Sequence, residues 1–172
     1  AFSSWQKHVP VEFDYYLCMP HHVQSPRALP YLTAELAAFK TAVERWTNKT
    51  ITDAALTAAI EVYNENRRLM HAVYALRKQD PPALTREEAM NMVISSQMTD
   101  KAEHNREVSR ILRELPGRGN GRQSGARLMI LGSEDDDIEF LSMVESCGAT
   151  FVVDDHCTGT RYFWNEVAPR TN

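Results

Sequence analysis

The sequence has little cysteine, glycine or proline and no long apolar run. Its three cysteines are too few for the disulfide framework of a small secreted domain, and its seven glycines and eight prolines exclude a collagen-like or low-complexity chain. No segment approaches the roughly eighteen consecutive apolar residues of a membrane span, and the first residues lack the basic and apolar regions of a secretory signal. We therefore expect a cytoplasmic protein without membrane association, whose cysteines are thiols or metal ligands.

The charge balance is slightly acidic, with 19 Lys and Arg against 23 Asp and Glu and a net charge of −4. Proteins that bind nucleic acid or an anionic membrane carry basic surfaces, so neither partner is expected. Apolar residues make up 43% of the chain and charged residues 24%, as in globular proteins that bury a core. The partner classes that remain are a small molecule and another protein.

The first 24 residues contain one predicted strand. In the segment 11–18, VEFDYYLC, aliphatic or aromatic positions alternate with the others, which is the period of a strand with one buried face. Pro20 prevents further ladder pairing. Because a lone strand needs neighbours, we interpret residues 1–24 as the end of a first α/β domain.

Residues 25–116 have a helical period and predict an all-helical block. Four helices are expected, from these signals: a period from residue 25 to about Trp46, a cap at Thr52 with a stop at Asp80-Pro81-Pro82, a capping box of Thr85 and Glu88, and a cap at Asp100 with a stop at Pro116-Gly117. The Gly-rich segment 117–126 follows and is predicted to be a hinge.

Residues 127–172 begin with a β–α–β pattern: a short apolar run at 127–132, a helical period over 135–146 and a β-branched run at 150–153. Such a unit has parallel strands that end at the same edge, where open α/β sheets bind ligands. The acidic run 134–137 is interpreted as the favoured charge of a first helical turn. Two strands alone cannot bury both faces of a sheet, so we expect the chain to be a fragment of a longer protein.

The densest chemical cluster is the segment 154–164, DDHCTGTRYFW, just after the second strand. A packed turn with capping acids would have a similar composition, but its position at a ligand-binding edge favours a functional site. Cys157 in this segment is a candidate nucleophile, zinc ligand or iron–sulfur ligand. The adjacent His156 is expected to point to the other side of an extended segment, which weakens a Cys–His pair.

The other cysteines have weaker functional signals. Cys18 with His21, His22 and His156 would form a zinc site only with poor ligand spacing. Cys147 precedes Gly148 at the opposite edge of the predicted sheet and is interpreted as a helix end with a buried thiol. An iron–sulfur cluster needs three or four thiolates, so this chain alone cannot hold one.

Several segments resemble the benzoyl-CoA reductase and 2-hydroxyacyl-CoA dehydratase family: FDYYLCMP, YLTAELAAFKTAVERW, ALTAAIEVYNENRRLMHAVYALR, RLMILGSEDDD and DDHCTGTRYFWNEV. DDHCTGTRYF is most similar to the benzoyl-CoA reductase branch. The resemblance implies two Rossmann-like domains around a helical middle. We therefore predict an α/β fold in which the helical block, 25–116, precedes the hinge and the start of a second Rossmann-like parallel-sheet domain, 127–172.

The same resemblance implies a subunit of an ATP-dependent benzoyl-CoA reductase, which dearomatises an aromatic acyl-CoA in anaerobic degradation of aromatic compounds. It further implies a [4Fe-4S] cluster, a homologous second subunit and an activator protein that hydrolyses ATP. The implied site residues are Cys157 as a cluster ligand with the other ligands outside this chain, His156 or a neighbouring acid as proton donor, and Asp155, Thr158, Gly159 and Arg161 toward the substrate. The alternatives are a 2-hydroxyacyl-CoA dehydratase subunit and a scaffold module that has lost the cluster.

Overall fold

The computed structural model describes residues 2–115 and 125–168. Its elements, in chain order, are α1 (Phe2–His8), α2 (Ala28–Thr47), α3 (Asp53–Arg77), α4 (Arg86–Met98), α5 (Lys101–Glu114), β1 (Ala126–Leu131), α6 (Ile138–Ser146), β2 (Ala149–Asp155) and α7 (Thr160–Phe163). This mixture of helices with a parallel sheet confirms the predicted α/β class. Within the described ranges, the structure has no helix with the length and apolar character that a bilayer crossing requires.

The chain divides into two compact units, an N-terminal unit of residues 1–56 and a C-terminal unit of residues 57–172. In the N-terminal unit, the prediction of a strand at 11–18 is wrong, because this segment is extended but has no ladder partner among the described residues. Its alternation has another cause. Phe13 stacks on Trp46 with ring centroids 4.7 Å apart, and Tyr15 packs on Phe39 at 5.0 Å, so alternate side chains lie against α2.

The helix starts in the C-terminal unit follow the predicted capping signals. The Thr85 hydroxyl accepts the Glu88 N–H at 3.0 Å, and the Glu88 carboxylate accepts the Thr85 N–H at 2.9 Å, which confirms the capping box of α4. Asp100 caps α5 by accepting the Glu103 N–H at 3.0 Å. The predicted stop at Pro116-Gly117 and most of the hinge 117–126 lie outside the described residues.

The predicted β–α–β unit is confirmed. β1 and β2 pair in parallel, with Ala126 opposite Ala149 and Leu131 opposite Asp155. Helix α6 begins at Ile138 because the Asp137 carboxylate caps it, accepting the Phe140 N–H at 2.9 Å. The two strands therefore end side by side.

Two apolar clusters hold the C-terminal unit together. The larger lies between α3, α4, α5 and α7, and the smaller joins α4 to the β–α–β unit. The fully buried members that connect these elements are Met70, Val73, Ala89, Val93 and Phe163 in the larger cluster, and Met90 and Leu141 in the smaller. The packing fixes the end of α3 and the start of α4 beneath the carboxyl end of β2.

Cys147 lies at the end of α6, as predicted, and is followed by Gly148, whose φ of +88° is in the left-handed region. The prediction that its thiol is buried is wrong, because Cys147 is exposed. The turn between α6 and β2 projects from the edge of the sheet opposite to the candidate site, so the side chain meets solvent there.

Candidate functional site

The turn after β2 lies directly beside the turn after β1. The Gly132 N–H donates to the Asp155 carbonyl at 3.2 Å, and the Cys157 N–H donates to the Ser133 carbonyl at 2.7 Å. These two bonds extend the parallel pairing past the strand ends, which places Cys157 beside Ser133 as the sequence predicts. The Cys157 residue is exposed at this edge.

His156 and Cys157 occupy opposite sides of the turn. The His156 ring is fully buried, whereas Cys157 faces solvent, so the pair has neither the geometry nor the shared surface of a nucleophile and its base. This agrees with the expectation from alternating side chains.

Both nitrogens of the His156 ring are used inside the protein. The Arg86 guanidinium donates to Nε2, and because arginine has no acceptor, Nε2 carries no proton. Nδ1 lies 3.0 Å from the Thr158 hydroxyl and therefore holds the proton and donates. Burial lowers the pKa of His156, and the nearby Arg86 charge lowers it further against the opposing effect of Asp154. The ring is neutral at pH 7 and acts as a link between Arg86 and Thr158.

Thr158 ties this turn to the one that follows β1. Its hydroxyl donates to the Asp135 carbonyl at 2.6 Å and accepts the Asp135 N–H at 3.1 Å. With the His156 contact, all three hydrogen-bonding positions of the hydroxyl are occupied by protein atoms. Thr158 therefore fixes the shape of the edge.

Asp154 anchors the end of β2 in the interior. Its fully buried carboxylate lies 2.8 Å from the Arg77 Nη1 and 3.7 Å from the Arg86 Nη1, and it accepts the Thr160 N–H at 2.8 Å. The Arg77 Nη2 also donates to the Phe151 carbonyl at 2.7 Å. Burial opposes ionisation of Asp154, but the two guanidinium groups outweigh it and hold the pKa of the carboxyl below its ordinary value. The carboxylate is thus charged and shared between two arginines.

Sequence reasoning missed both arginines. Arg77 had a detectable signal, because it stands in register with Met70, Val73 and Tyr74 on the buried face of α3, where a charged residue is unusual. Arg86 is the first residue of α4, and nothing in its local sequence distinguishes it from a solvated first-turn residue.

Gly159 is required for packing. A Cβ atom at this position would lie 2.2 Å from the Asp154 Oδ1 and 2.8 Å from its Cγ. The close approach lets the backbone pass over the carboxylate and deliver the Thr160 N–H to it. The role of Gly159 in substrate binding stays a prediction, whereas its role in packing follows from these distances.

Arg161 and Asp155 form a half-exposed ion pair, with the Arg161 Nε 2.6 Å from the Asp155 Oδ1. The bond to Asp155 raises the pKa of Arg161, and a further contribution comes from Cys157. The same bond lowers the pKa of Asp155, which is therefore ionised at neutral pH. The solvent-facing part of the site includes Cys157 and this ion pair.

The described part of the chain contains no group of three or more His, Cys, Asp or Glu side chains that could hold a metal ion. Cys18, His21 and His22 lie in the N-terminal unit, along a groove of about 360 Å³ that Tyr31 also lines. A hydrogen bond with Cys18 raises the pKa of Tyr31 to about 12. Cys157 offers one accessible thiol at its edge, which fits one ligand position of a cluster whose other ligands would come from elsewhere.

The parallel strands and the polar turn at their carboxyl ends define an α/β protein with a candidate ligand site at that edge. Residues 1–172 match the family described as 2-hydroxyglutaryl-CoA dehydratase, D-component, and the chain belongs to that family.

Two curated proteins are similar to this chain. A benzoyl-CoA reductase subunit from Thauera aromatica is 28% identical over 166 residues, which cover 95% of this chain and 43% of that protein. The (R)-phenyllactyl-CoA dehydratase beta subunit from Clostridium sporogenes is 26% identical over 130 residues, which cover 76% of this chain and 34% of that protein. The chain therefore spans less than half the length of each.

Proposed function

We propose that this chain is part of a benzoyl-CoA reductase type subunit and that Cys157 is one ligand of a [4Fe-4S] cluster. The observation that carries the proposal is the accessible Cys157 thiol at the carboxyl edge of two parallel strands, with its backbone fixed by Ser133. The more extensive similarity to the reductase subunit than to the dehydratase subunit supports the choice of branch.

The described residues of this site have different roles. Thr158 and the buried His156 hold the turn in shape, and the ion pair of Arg161 with Asp155 borders the thiol. When bound, an iron–sulfur cluster supplies single electrons at low potential. The remaining thiolates would come from outside the described residues, because an edge with one cysteine cannot complete a cluster.

The sequence predicts two candidates for the group that would protonate the reduced ring of the substrate. His156 would need its buried ring to leave Arg86 and Thr158 before it met substrate. Asp155, the accessible neighbouring acid, is ionised beside Arg161 and would act as an acceptor at neutral pH. In this arrangement a water molecule or a group outside the described residues would deliver the proton.

The partners follow from the same proposal. The substrate would be an aromatic acyl-CoA, and Arg161 would exchange its bond to Asp155 for an anionic group of the CoA portion. Both similar proteins are described as subunits, which supports a homologous second subunit as a partner. An ATP-hydrolysing activator would supply the electrons, and the assembly would work in the cytoplasm.

The test is Cys157→Ser in the whole assembly, purified without oxygen. Iron and acid-labile sulfide should fall, and the electron paramagnetic resonance signal of the reduced sample should change, because serine replaces a thiolate ligand. Cys147→Ser is the matched control, since Cys147 is also exposed but lies at the opposite edge of the sheet. A Cys157→Ser assembly with full iron and an unaltered signal would refute the proposal.

The similarity to a dehydratase subunit favours one alternative function, a 2-hydroxyacyl-CoA dehydratase subunit that recycles its electron. Assays of the assembly with benzoyl-CoA and with a 2-hydroxyacyl-CoA distinguish the two, because only the reductase consumes electrons in proportion to product. An assembly that contains neither iron nor sulfide would favour the scaffold module instead.

A further inference from the structure

A small pocket lies between α3, the start of α5 and α7, apart from the edge that carries Cys157. Its volume is about 90 Å³. Sites that take a whole cofactor or substrate measure about 300–1,000 Å³, so this pocket has room for one small group. Its lining, which we call the Tyr162 pocket, consists of Tyr63, Asn66, Arg67, Lys101, Tyr162 and Phe163. Two of these side chains are cationic and none is acidic.

Lys101 is a buried cation whose hydrogen-bond partners are all neutral. It is 7% exposed, and its ammonium group donates to the Ser96 carbonyl, to the Ser96 hydroxyl at 2.8 Å and to the Tyr162 hydroxyl at 2.9 Å. The ring centroids of Tyr63 and Tyr162 lie 5.0 and 5.1 Å from the same nitrogen. No carboxylate forms an ion pair with it in the described part of the chain. Because a buried charge without a counter-ion is costly, an anion in the adjoining pocket would stabilise this arrangement.

The Tyr162 hydroxyl has a proton to donate to such an anion. Its oxygen accepts from Lys101, and the hydrogen bonds of the described residues include no acceptor for its own proton. A hydrogen bond received from a cation polarises the hydroxyl and strengthens it as a donor. Tyr162 can therefore contact an anion directly, while Lys101 supplies the positive charge behind it.

Arg67 brings a second positive charge to the pocket. Its Nη1 donates to the Asn64 Oδ1 at 3.0 Å, and its other N–H groups have no acceptor within residues 2–115 and 125–168. Arg68, the next residue of α3, is different because it pairs with Glu65 and Glu166. The planar guanidinium of Arg67 matches the spacing of two oxygens in a phosphate or a carboxylate.

We propose that the Tyr162 pocket binds a phosphate dianion through hydrogen bonds from Arg67 and the Tyr162 hydroxyl. A phosphate monoester carries a charge of about −1.5 to −2 at neutral pH, which the charges of Arg67 and Lys101 balance. A carboxylate would neutralise one of the two cations only. The charge of the pocket therefore favours phosphate over a carboxylate.

The phosphate has two possible sources, inorganic phosphate and the 3′-phosphate of coenzyme A. For the second source the inference rests on the proposed function, in which the substrate is an acyl-CoA. Tyr162 directly follows Arg161 in α7, and Arg161 is the residue that the proposed function assigns to the CoA portion. The two sources share the same dianionic oxygens, so one set of residues serves either.

The test measures dissociation constants by isothermal titration calorimetry on the whole assembly, at about pH 8, where a phosphate with a second pKa of about 6 is a dianion. The ligands are inorganic phosphate, acetate, coenzyme A and dephospho-coenzyme A, which lacks the 3′-phosphate alone. Inorganic phosphate should bind at least about tenfold more tightly than acetate, because a hydrogen bond to a charged group and the second cation both favour it.

Two variants remove the proposed contacts. Tyr162→Phe keeps the ring beside Lys101 and removes the hydroxyl, and Arg67→Gln removes the charge from a partly buried position. Each should weaken the binding of inorganic phosphate by about tenfold or more. Arg68→Gln is the matched control, since it removes the same charge one residue away from the pocket, and it should leave the binding unchanged. Arg67→Gln decides the matter if Tyr162→Phe does not fold.

The comparison of coenzyme A with dephospho-coenzyme A identifies the source. If the 3′-phosphate occupies the pocket, coenzyme A should bind about tenfold more tightly, and both variants should remove that difference. Equal binding of the two, with phosphate binding still dependent on Arg67 and Tyr162, would support the pocket and assign it to inorganic phosphate.

Three results would overturn the proposal: a wild type that neither binds inorganic phosphate nor distinguishes the two coenzymes, acetate bound as tightly as phosphate, or variants at Arg67 and Tyr162 that bind no more weakly than Arg68→Gln. None of these results depends on iron. Full iron in Cys157→Ser would refute the proposed function, while the constants for inorganic phosphate would still decide the pocket.

Discussion

Replacing Asp154 by Asn tests whether the buried ion cluster holds the candidate site together. The substitution keeps the volume of the side chain and removes its charge. Arg77 and Arg86 would then lie in the interior without a carboxylate, and the Thr160 N–H would compete with both for a single amide oxygen. The end of β2 and the turn that carries Cys157 should lose their anchor.

The expected magnitude follows from the burial of all three side chains. Removing one partner of a buried ion pair costs about 3–5 kcal/mol, because the remaining charge stays desolvated. Two guanidinium groups are affected here, so we expect the upper part of this range. A typical domain has a total stability of about 5–15 kcal/mol, so a loss of about 4–5 kcal/mol would be roughly a quarter of it or more.

The assay is urea unfolding followed by far-ultraviolet circular dichroism. With a slope of about 2 kcal/mol per molar urea, a loss of 4 kcal/mol lowers the midpoint by about 2 M. Asp155→Asn is the matched control, since its pair with Arg161 is about half exposed and contributes little. Adding Arg86→Gln to Asp154→Asn should restore part of the loss, because one unpaired charge disappears.

The reasoning would be refuted if Asp154→Asn unfolded within about 0.5 M urea of the wild type, or no earlier than Asp155→Asn. Acid unfolding offers an independent check. Because the pKa of Asp154 is held below its ordinary value of 3.8, its stabilising contribution is complete above that pH and is lost as the pH falls below it. The wild type should lose stability over this acid range more steeply than Asp154→Asn.

Three further predictions concern single positions. Gly159→Ala should lower the free energy of unfolding in urea by roughly 1–3 kcal/mol, because the new Cβ would clash with the Asp154 carboxylate. Gly132→Ala is the control and should change this free energy by less than about 1 kcal/mol, because a Cβ there would have nothing within 4 Å. Equal costs would contradict the packing argument. Burial lowers the pKa of His104 below its ordinary value of 6.5. As the pH falls, His104 therefore binds a proton more readily in the unfolded chain than in the folded one, so the free energy of unfolding should decrease as the pH drops through and below 6.5. A His104→Gln variant that keeps this pH dependence would disprove the assignment. Thr85→Ala should cost about 1 kcal/mol by removing the capping box of α4, and an unchanged urea midpoint would count against it.

Parts of the fold depend on local interactions, and these were predictable. The capping box of Thr85 with Glu88 and the cap at Asp100 formed as expected because their donors and acceptors are three residues apart. The placement of Cys157 beside Ser133 was also predictable, since two parallel strands joined by one helix must end at the same edge.

Other features could not be derived in this way. The alternation in 11–18 has the period of a strand, but the choice between ladder pairing and packing on α2 depends on which neighbours are present. The exposure of Cys147 depends on where the turn after α6 points. In both cases the local pattern is compatible with two environments.

The helix starts, the parallel strands and the edge at which Cys157 lies are all encoded locally, because each follows from hydrogen bonds and periodicities between near neighbours. The convergence of Arg77 and Arg86 on Asp154, and the proton that Arg86 holds on the Nδ1 of His156, depend instead on how distant segments pack. These contacts join residues about 70 positions apart. An isolated arginine in a helix has no local signal for such a partner, because its charge is equally stable in water until packing removes the solvent.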